Sequence, residues 1–287
     1  MRLAIIGGAS RVGMALRRRF AGRDGIEIIA LVRKPVAAVG TETVKVVEDY
    51  FTPDLSVLTT CDAIVNCAGR TDGRSDADFA EVNVAGPIRL AQAAKTAGSR
   101  HFVHISSLSI YGRAQTIGAS TSEAPINPYG RSKCAGDRGL AGLASEHFAV
   151  ALLRVPIIYG PGKTSKLHLL AGAMRRLGWF PVPGALPQRS IIHVENVAGA
   201  IETVLKERLN GVCFAADPEL FTAHAMAEAI GGVRLVRFPD PFFGLLRRCT
   251  PSLYASLFGN SVIAQDQCVL LPEHGTLLLS QALRDVI

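Results

Sequence analysis

The chain has 287 residues, 48% of them hydrophobic, which is ample for one large α/β domain or two small ones. Its 31 basic and 24 acidic residues leave a formal charge of +7, a balance that suits an anionic small ligand as well as it suits nucleic acid. The basic residues are scattered, with no zinc-finger spacing or basic–aromatic array, so neither nucleic acid nor a metal is expected as a partner.

Residues 2–6 read as a short buried strand that runs into Gly7-Gly8-Ala9-Ser10-Arg11-Val12-Gly13, with a helix over 12–20. Strand, glycine-rich turn and helix place backbone N–H groups and a helix N-terminus against a pyrophosphate. Gly7 makes the tight turn and Gly13 lets the helix approach the sheet, while Ser10 and Val12 complete the cradle. The middle glycine of G-x-x-G-x-x-G is here Ser10, a departure that predicts a looser approach of the phosphates. Arg17, Arg18 and Arg19 read as one solvated helix face.

The second strand, 25–32, ends at Arg33 and Lys34, where an acidic residue would bond an adenosine ribose 2′-hydroxyl. A cation there accommodates a 2′-phosphate, so NADP(H) is favoured and NAD(H) is the alternative. Arg11 is a candidate second cation for that phosphate, and ordinary surface arginines are the competing explanation of both. A third strand at 44–47 and a fourth at 62–66 lead into Cys67-Ala68-Gly69, small residues that leave room for a cofactor across the sheet. A long helix is expected over 78–97, carrying Asn83 and stopped by Gly98.

Residues 100–133 carry the candidate reaction centre. His101 to Ile105 is a β-branched apolar run, and Ser107 follows just past its carboxyl end, where ligands sit in open α/β sheets. Asn127-Pro128 is a helix start, an N-cap side chain followed by a proline at the first position. Tyr129 and Lys133 then share one face four residues apart. A phenol is a poor acid–base at neutral pH, a nearby ammonium favours its phenolate, and a serine hydroxyl can bond an oxygen on which charge develops. Taken alone, Tyr-x-x-x-Lys fits an exposed helix with a solvated lysine equally well. A further strand over 148–155 completes a repeated strand–helix alternation, which implies a parallel sheet covered on both faces.

In order along residues 1–216, the segments GGASRVG, CDAIVNCAG, EVNVAG, HISSLSIYG, NPYGRSK, LLRVPIIYGPG and RSIIHVENVAGAI resemble the extended short-chain dehydrogenase/reductase family, the NAD-dependent epimerase/dehydratase type that modifies nucleotide sugars. The resemblance implies a doubly wound, Rossmann-like α/β domain over 1–162 and 188–216, with a smaller substrate lobe from 163–187 and 217–287. It implies that Tyr129 is the acid–base, that Lys133 binds the nicotinamide ribose and lowers the tyrosine pKa, and that Ser107, beside the similar Ser106, orients substrate. Asn83 resembles the helix asparagine that supports the site, and Arg189 is similar to the arginine that clamps a sugar-nucleotide pyrophosphate. Besides Ser10, two positions depart from the family: Glu195 stands where aspartate is usual, and Ile6 where threonine precedes the glycine loop.

A nucleotide-sugar 4-keto-reductase is the function favoured by Arg33 and Lys34, with a 4-epimerase using the same trio as the alternative. Leu108 and Ser109 after Ser107 disfavour a dehydratase, which needs acid–base residues there, and intact Tyr129 and Lys133 disfavour a non-catalytic dinucleotide sensor. The segment PDPFFGLLRRCTPSLYASLFGN is an apolar helical pattern broken by Pro251, suited to a pocket wall or a subunit interface. Helices at 78–97 and 128–147 are where the family pairs as a homodimer. Six cysteines without a C-x-x-C pair read as buried thiols of a reducing cytosol, and Met1 leads directly into LAIIGG, so a cytoplasmic protein with no membrane partner is expected.

Overall fold

In the computed structural model, all residues are described except 52–54, 59, 162–165, 251–253, 255–257, 273–274 and 287; for 55, 56, 166 and 284–286 the backbone alone is described. Short apolar runs rich in Val, Ile and Leu form β1 (Arg2–Ile6), β2 (Glu27–Val32), β3 (Thr43–Val46), β4 (Ala63–Asn66) and β5 (His101–Ser107). After the two-residue β6 (Thr116–Ile117) comes β7 (Ala149–Val155), buried along its whole length, as a strand covered on both faces must be. Then follow β8 (Ile157–Tyr159), β9 (Trp179–Val182), β10 (Ile191–His193) and β11 (Gly211–Phe214).

Seven strands pair in parallel in the order β11-β7-β5-β4-β1-β2-β3. The direction of winding reverses between β1 and β4, and the carboxyl ends of those two strands open a crevice there. One face is covered by α1 (Arg11–Phe20) and the helix Val194–Lys206, which bury Leu16, Phe20, Val197 and Ile201 with Leu3, Ile5 and Val103 of the sheet. The other face packs Leu90, Leu140 and Phe148 against Ile6, Leu31, Ile64 and Phe102. The fold is therefore doubly wound and Rossmann-like.

A third apolar cluster lies apart from the sheet and gathers Tyr159, Met174, Phe180, Phe221, Phe243 and Leu283. Two two-stranded parallel sheets accompany it, β9 beside Arg234–Arg237 and β10 beside β8. The helical pattern after Phe238 is seen as a helix over Asp240–Cys249 that buries Phe243; Pro251, expected to break it, lies outside the described residues.

Four expectations change. The helix expected over 78–97 is built of α-turns at Ala77–Phe79 and Gly86–Thr96 joined by π-type turns over Ala80–Ala85, and it stops at Gly98, whose φ of +89° ends it. The helix carrying Tyr129 ends at Ala141. Arg17 is not a solvated surface residue: it is fully buried, paired with the buried Glu42, and it donates to the carbonyls of Gly8 and Ala37. Arg18 and Arg19 are tied to Glu195 and Glu202 of the helix beside them. All six cysteines are free thiols, and Cys249 is exposed where burial was expected. Among the described residues no helix is long and apolar enough to cross a membrane.

Candidate active site

The glycine turn after β1 is tight because its packing requires it. Gly7 has φ +75°, and a Cβ there would lie 3.0 Å from the Ala68 amide nitrogen. A Cβ on Gly13 would sit 2.4 Å from the Gly7 carbonyl oxygen and 2.8 Å from the Gly8 Cα, so only glycine lets α1 enter this close to the turn. Ser10 is the N-cap: its hydroxyl accepts the Gly13 amide at 3.1 Å. The departure from glycine at this position thus has a structural use, and the amides of Arg11 and Val12 are the remaining donors of the first turn. The cradle fits a dinucleotide pyrophosphate, and Cys67, Ala68 and Gly69 border it at the end of β4, with the Ala68 amide held by Asn66 Oδ1 at 3.0 Å.

Arg33 and Lys34 are exposed at the end of β2. The Arg33 guanidinium lies 5.5 Å over the ring of Tyr50, whose hydroxyl accepts the Arg33 amide at 3.2 Å. Arg11 does not join it. Its guanidinium donates to the Gly160 carbonyl at 3.2 Å, beyond β7 on the opposite flank of the sheet, and burial lowers its pKa.

Ser107 is the last residue of β5, not the first beyond it. Strand alternation separates it from Ser106. Ser106 turns under the helix and donates to Asp137 Oδ2 at 2.9 Å, whereas Ser107 lies on the side of Tyr129, where its hydroxyl donates to Ser109 Oγ at 3.1 Å and accepts the Ser109 amide at 3.2 Å. Asn127 caps the helix Pro128–Ala141 by accepting the Gly130 amide at 2.7 Å, which places Tyr129 in the first turn. Phe79 meets its ring edge-on at 6.0 Å. Burial holds the Tyr129 phenol above its ordinary pKa, a rise reinforced by the negative charge of Asp137 and opposed by Ser107.

Lys133 reaches from the same helix down to β5. It is buried one turn past Tyr129, where its Nζ lies 2.7 Å from the Ile105 carbonyl and 2.9 Å from His104 Nε2. Burial brings the lysine itself down to about 8, against the pull of Asp137.

Asn83 braces the site. Its Oδ1 accepts the Arg70 amide at 2.8 Å, and its Nδ2 reaches the Arg70 carbonyl at 2.9 Å and Ser132 Oγ at 3.0 Å. Arg189 stands just before β10, half-buried, with its backbone paired to Phe221 and its pKa lowered by burial. Glu195 is in the first turn of its helix and accepts from Arg18, a structural position.

Beneath the trio lies a polar cluster that sequence reasoning did not find. Arg154 of β7 donates to Asp137, Tyr111 and Glu123 at 2.9, 2.6 and 2.6 Å. His104, Ser106 and Arg154 were legible only as the helix-facing positions of two buried strands.

The glycine turn, the crevice at the switch point and the serine and tyrosine beside the end of β5 are the layout of the short-chain dehydrogenase/reductase class. The sequence profile of the NAD-dependent epimerase/dehydratase family matches residues 3–214, and the chain belongs to that family, the extended type of the class. It is 30% identical over 156 residues to a UDP-glucose 4-epimerase of Vibrio cholerae, a match that covers 50% of this chain and 47% of that protein. The chain thus spans about half the length of this relative. It is also 30% identical over 255 residues to a ceramide reductase of Caulobacter vibrioides, covering 83% of this chain and 74% of that one. A UDP-glucuronic acid 4-epimerase of Bacillus cereus, solved with NAD, shares the fold with a TM-score of 0.76 over 99% of this chain and 97% of its own, at 17% identity.

Proposed function

We propose that this enzyme is an NADP(H)-dependent ketone reductase, with a nucleotide-sugar 4-keto group as the first substrate class to test. The observation that supports it is Arg33, exposed at the carboxyl end of β2, where a carboxylate would mark a preference for an unphosphorylated ribose. A reductase consumes reductant at each turnover and is served by NADPH.

When bound in the cradle of Gly7, Ser10, Val12 and Gly13, the cofactor supplies the hydride. Ser107 bonds the carbonyl oxygen of the substrate and polarises it, and Tyr129, held against Ser107, gives that oxygen its proton. Lys133 and Asn83 hold the helix and the loop after β4 in register with them. The half-buried Arg189 is suited to a diphosphate, since a guanidinium fork binds phosphate in bidentate fashion.

A second reading, reduction of a ketone on a lipophilic molecule, is favoured by the ceramide reductase, a relative whose match covers 83% of this chain.

Fluorescence titration of the purified protein with NADPH and NADH tests the cofactor, and a screen of 4-keto-sugar nucleotides beside long-chain ketones tests the substrate. Tighter binding of NADPH, reversed in Arg33→Asp, is expected. Tightly retained NAD+ with no net redox turnover would overturn the reductase in favour of the 4-epimerase.

A further inference from the structure

A chain of hydrogen bonds runs beneath the reaction centre from the end of β4 to Lys133. The Ala68 amide donates to Asn66 Oδ1 at 3.0 Å, Asn66 Nδ2 faces His104 Nδ1 at 3.1 Å, His104 Nε2 faces Lys133 Nζ at 2.9 Å, and Nζ donates to the Ile105 carbonyl at 2.7 Å. Asn66 and His104 are fully buried and Lys133 nearly so. No water or other group is needed to complete the chain.

Its two ends fix every direction in between. A backbone N–H can only donate, so Asn66 presents its oxygen to Ala68 and its NH2 to the imidazole. His104 Nδ1 therefore accepts, and the hydrogen of the neutral ring sits on Nε2, aimed at Nζ. A nitrogen that receives that hydrogen uses its lone pair, so in this arrangement Lys133 is a neutral amine. An ammonium would set N–H against N–H. It fits only if the ring hydrogen moves to Nδ1 and the Asn66 amide turns over, which would set the amide NH2 against the Ala68 N–H.

We propose that His104 and Asn66 are positioning residues that set the protonation of Lys133: each protonation of the lysine is coupled to a change of the His104 tautomer and a reversal of the Asn66 amide. Burial of all three makes the coupling strong, because an unpaired polar group here has no solvent to turn to. The other groups around Lys133 are a carboxylate that favours its cation, a guanidinium that opposes it and a neutral phenol. Asp137, one turn further along the helix, is the nearby negative charge, and Arg154 of β7 partly offsets it through a 2.9 Å bond. Tyr129, one turn earlier, is held as a phenol by burial. His104 stays neutral, since burial and the adjacent lysine both push its pKa well below the ordinary histidine value.

This inference rests on the proposed reductase only for its consequence, which is that the Lys133 ammonium, one helical turn from the phenol, is present below about pH 8 and lost above it. The chain itself is tested without substrate. The full-length protein is labelled with nitrogen-15 at histidine and lysine, and ring tautomers are read from long-range proton–nitrogen correlations. The His104 signal, one of seven histidines, is assigned by its loss in His104→Gln. The wild type is expected to show His104 as the Nε2–H tautomer above the lysine midpoint and as neutral Nδ1–H below it. Asn66→Asp puts a carboxylate opposite Nδ1 and should hold Nδ1–H at every pH, moving the Lys133 midpoint up by about one pH unit or more, roughly tenfold in proton affinity. His104→Gln, whose amide oxygen can accept from the ammonium, should move the midpoint the same way and carries the comparison if Asn66→Asp does not fold. A His104 tautomer that does not change through the lysine titration, or a Lys133 midpoint that moves in neither variant, would overturn the proposal. Absence of ketone turnover would leave these signals untouched and would count against the reductase reading alone.

Discussion

Ser106 and Ser107 are adjacent in sequence and opposite in role. Ser107 faces Tyr129, and Ser106 supplies one of the few hydrogen bonds to the buried Asp137 carboxylate. Ser107→Ala should therefore lower kcat by roughly 10- to 100-fold with little change in melting temperature, as expected for loss of one donor to a developing oxyanion. Ser106→Ala should do the reverse. It leaves a buried charge short of a partner, so stability falls by about 1–3 kcal/mol, read from denaturant midpoints. Tyr129→Phe removes the proton donor and should cost roughly 100- to 10,000-fold in turnover, while NADPH affinity, read by fluorescence, stays near wild type. At this scale much of the site was legible. A Tyr-x-x-x-Lys helix behind an Asn-Pro start and a strand ending in two serines are local patterns. Which serine faces the site, and where Lys133 points, depend on strand alternation and on His104, 29 residues away from the lysine in sequence.

Helix starts decide where the catalytic groups stand. Asn127 closes the first turn of the helix that carries Tyr129 only two positions further on, so its loss acts twice. Asn127→Ala should cost about 1 kcal/mol of stability, and kcat should fall because the phenol sits in the turn that frays. Gly13→Ala is more damaging. Its Cβ would meet the Gly7 carbonyl oxygen at 2.4 Å and the Gly8 Cα at 2.8 Å, both backbone, so α1 must retreat from the turn. A destabilisation of about 1–3 kcal/mol is expected from the strain alone, together with loss of cofactor affinity in the same titration that tests Arg33. The strands and caps were readable because propensity and packing agree there. The π-type turns at Ala80–Ala85 were not, since the register change is imposed by packing: the Asn83 carbonyl lies 2.4 Å from where a Cβ on Gly136 would be, and a Cβ on Gly86 would meet Phe51 at 2.5 Å. Arg17 was misread for a similar reason, its partner Glu42 lying 25 residues downstream on the loop before β3.

The whole molecule carries a pH dependence that neither site nor helix reveals alone. His101 opens β5 at the centre of the sheet, 3% exposed, and its Nε2–H donates to the Leu209 carbonyl at 2.9 Å, tying the strand to the loop that feeds β11. Burial, with Arg208 nearby adding to it and the bond to Leu209 opposing it, lowers its pKa from 6.5 to about 4. The folded chain therefore takes up the proton later than the unfolded chain. Above pH 6.5 the stabilisation is fully present; as pH falls from 6.5 to about 4 the unfolded state binds more protons and stability declines, by on the order of 3 kcal/mol from this one residue. His104, lowered in the same sense, adds to the decline. His101→Gln keeps a donor for the Leu209 carbonyl but cannot titrate. The gap between unfolding free energies measured at about pH 7 and about pH 4.5 should therefore shrink by roughly 2 kcal/mol in the variant. An unchanged gap would mean that His101 is protonated within the folded sheet, and that the strand end opens to water more than its burial implies.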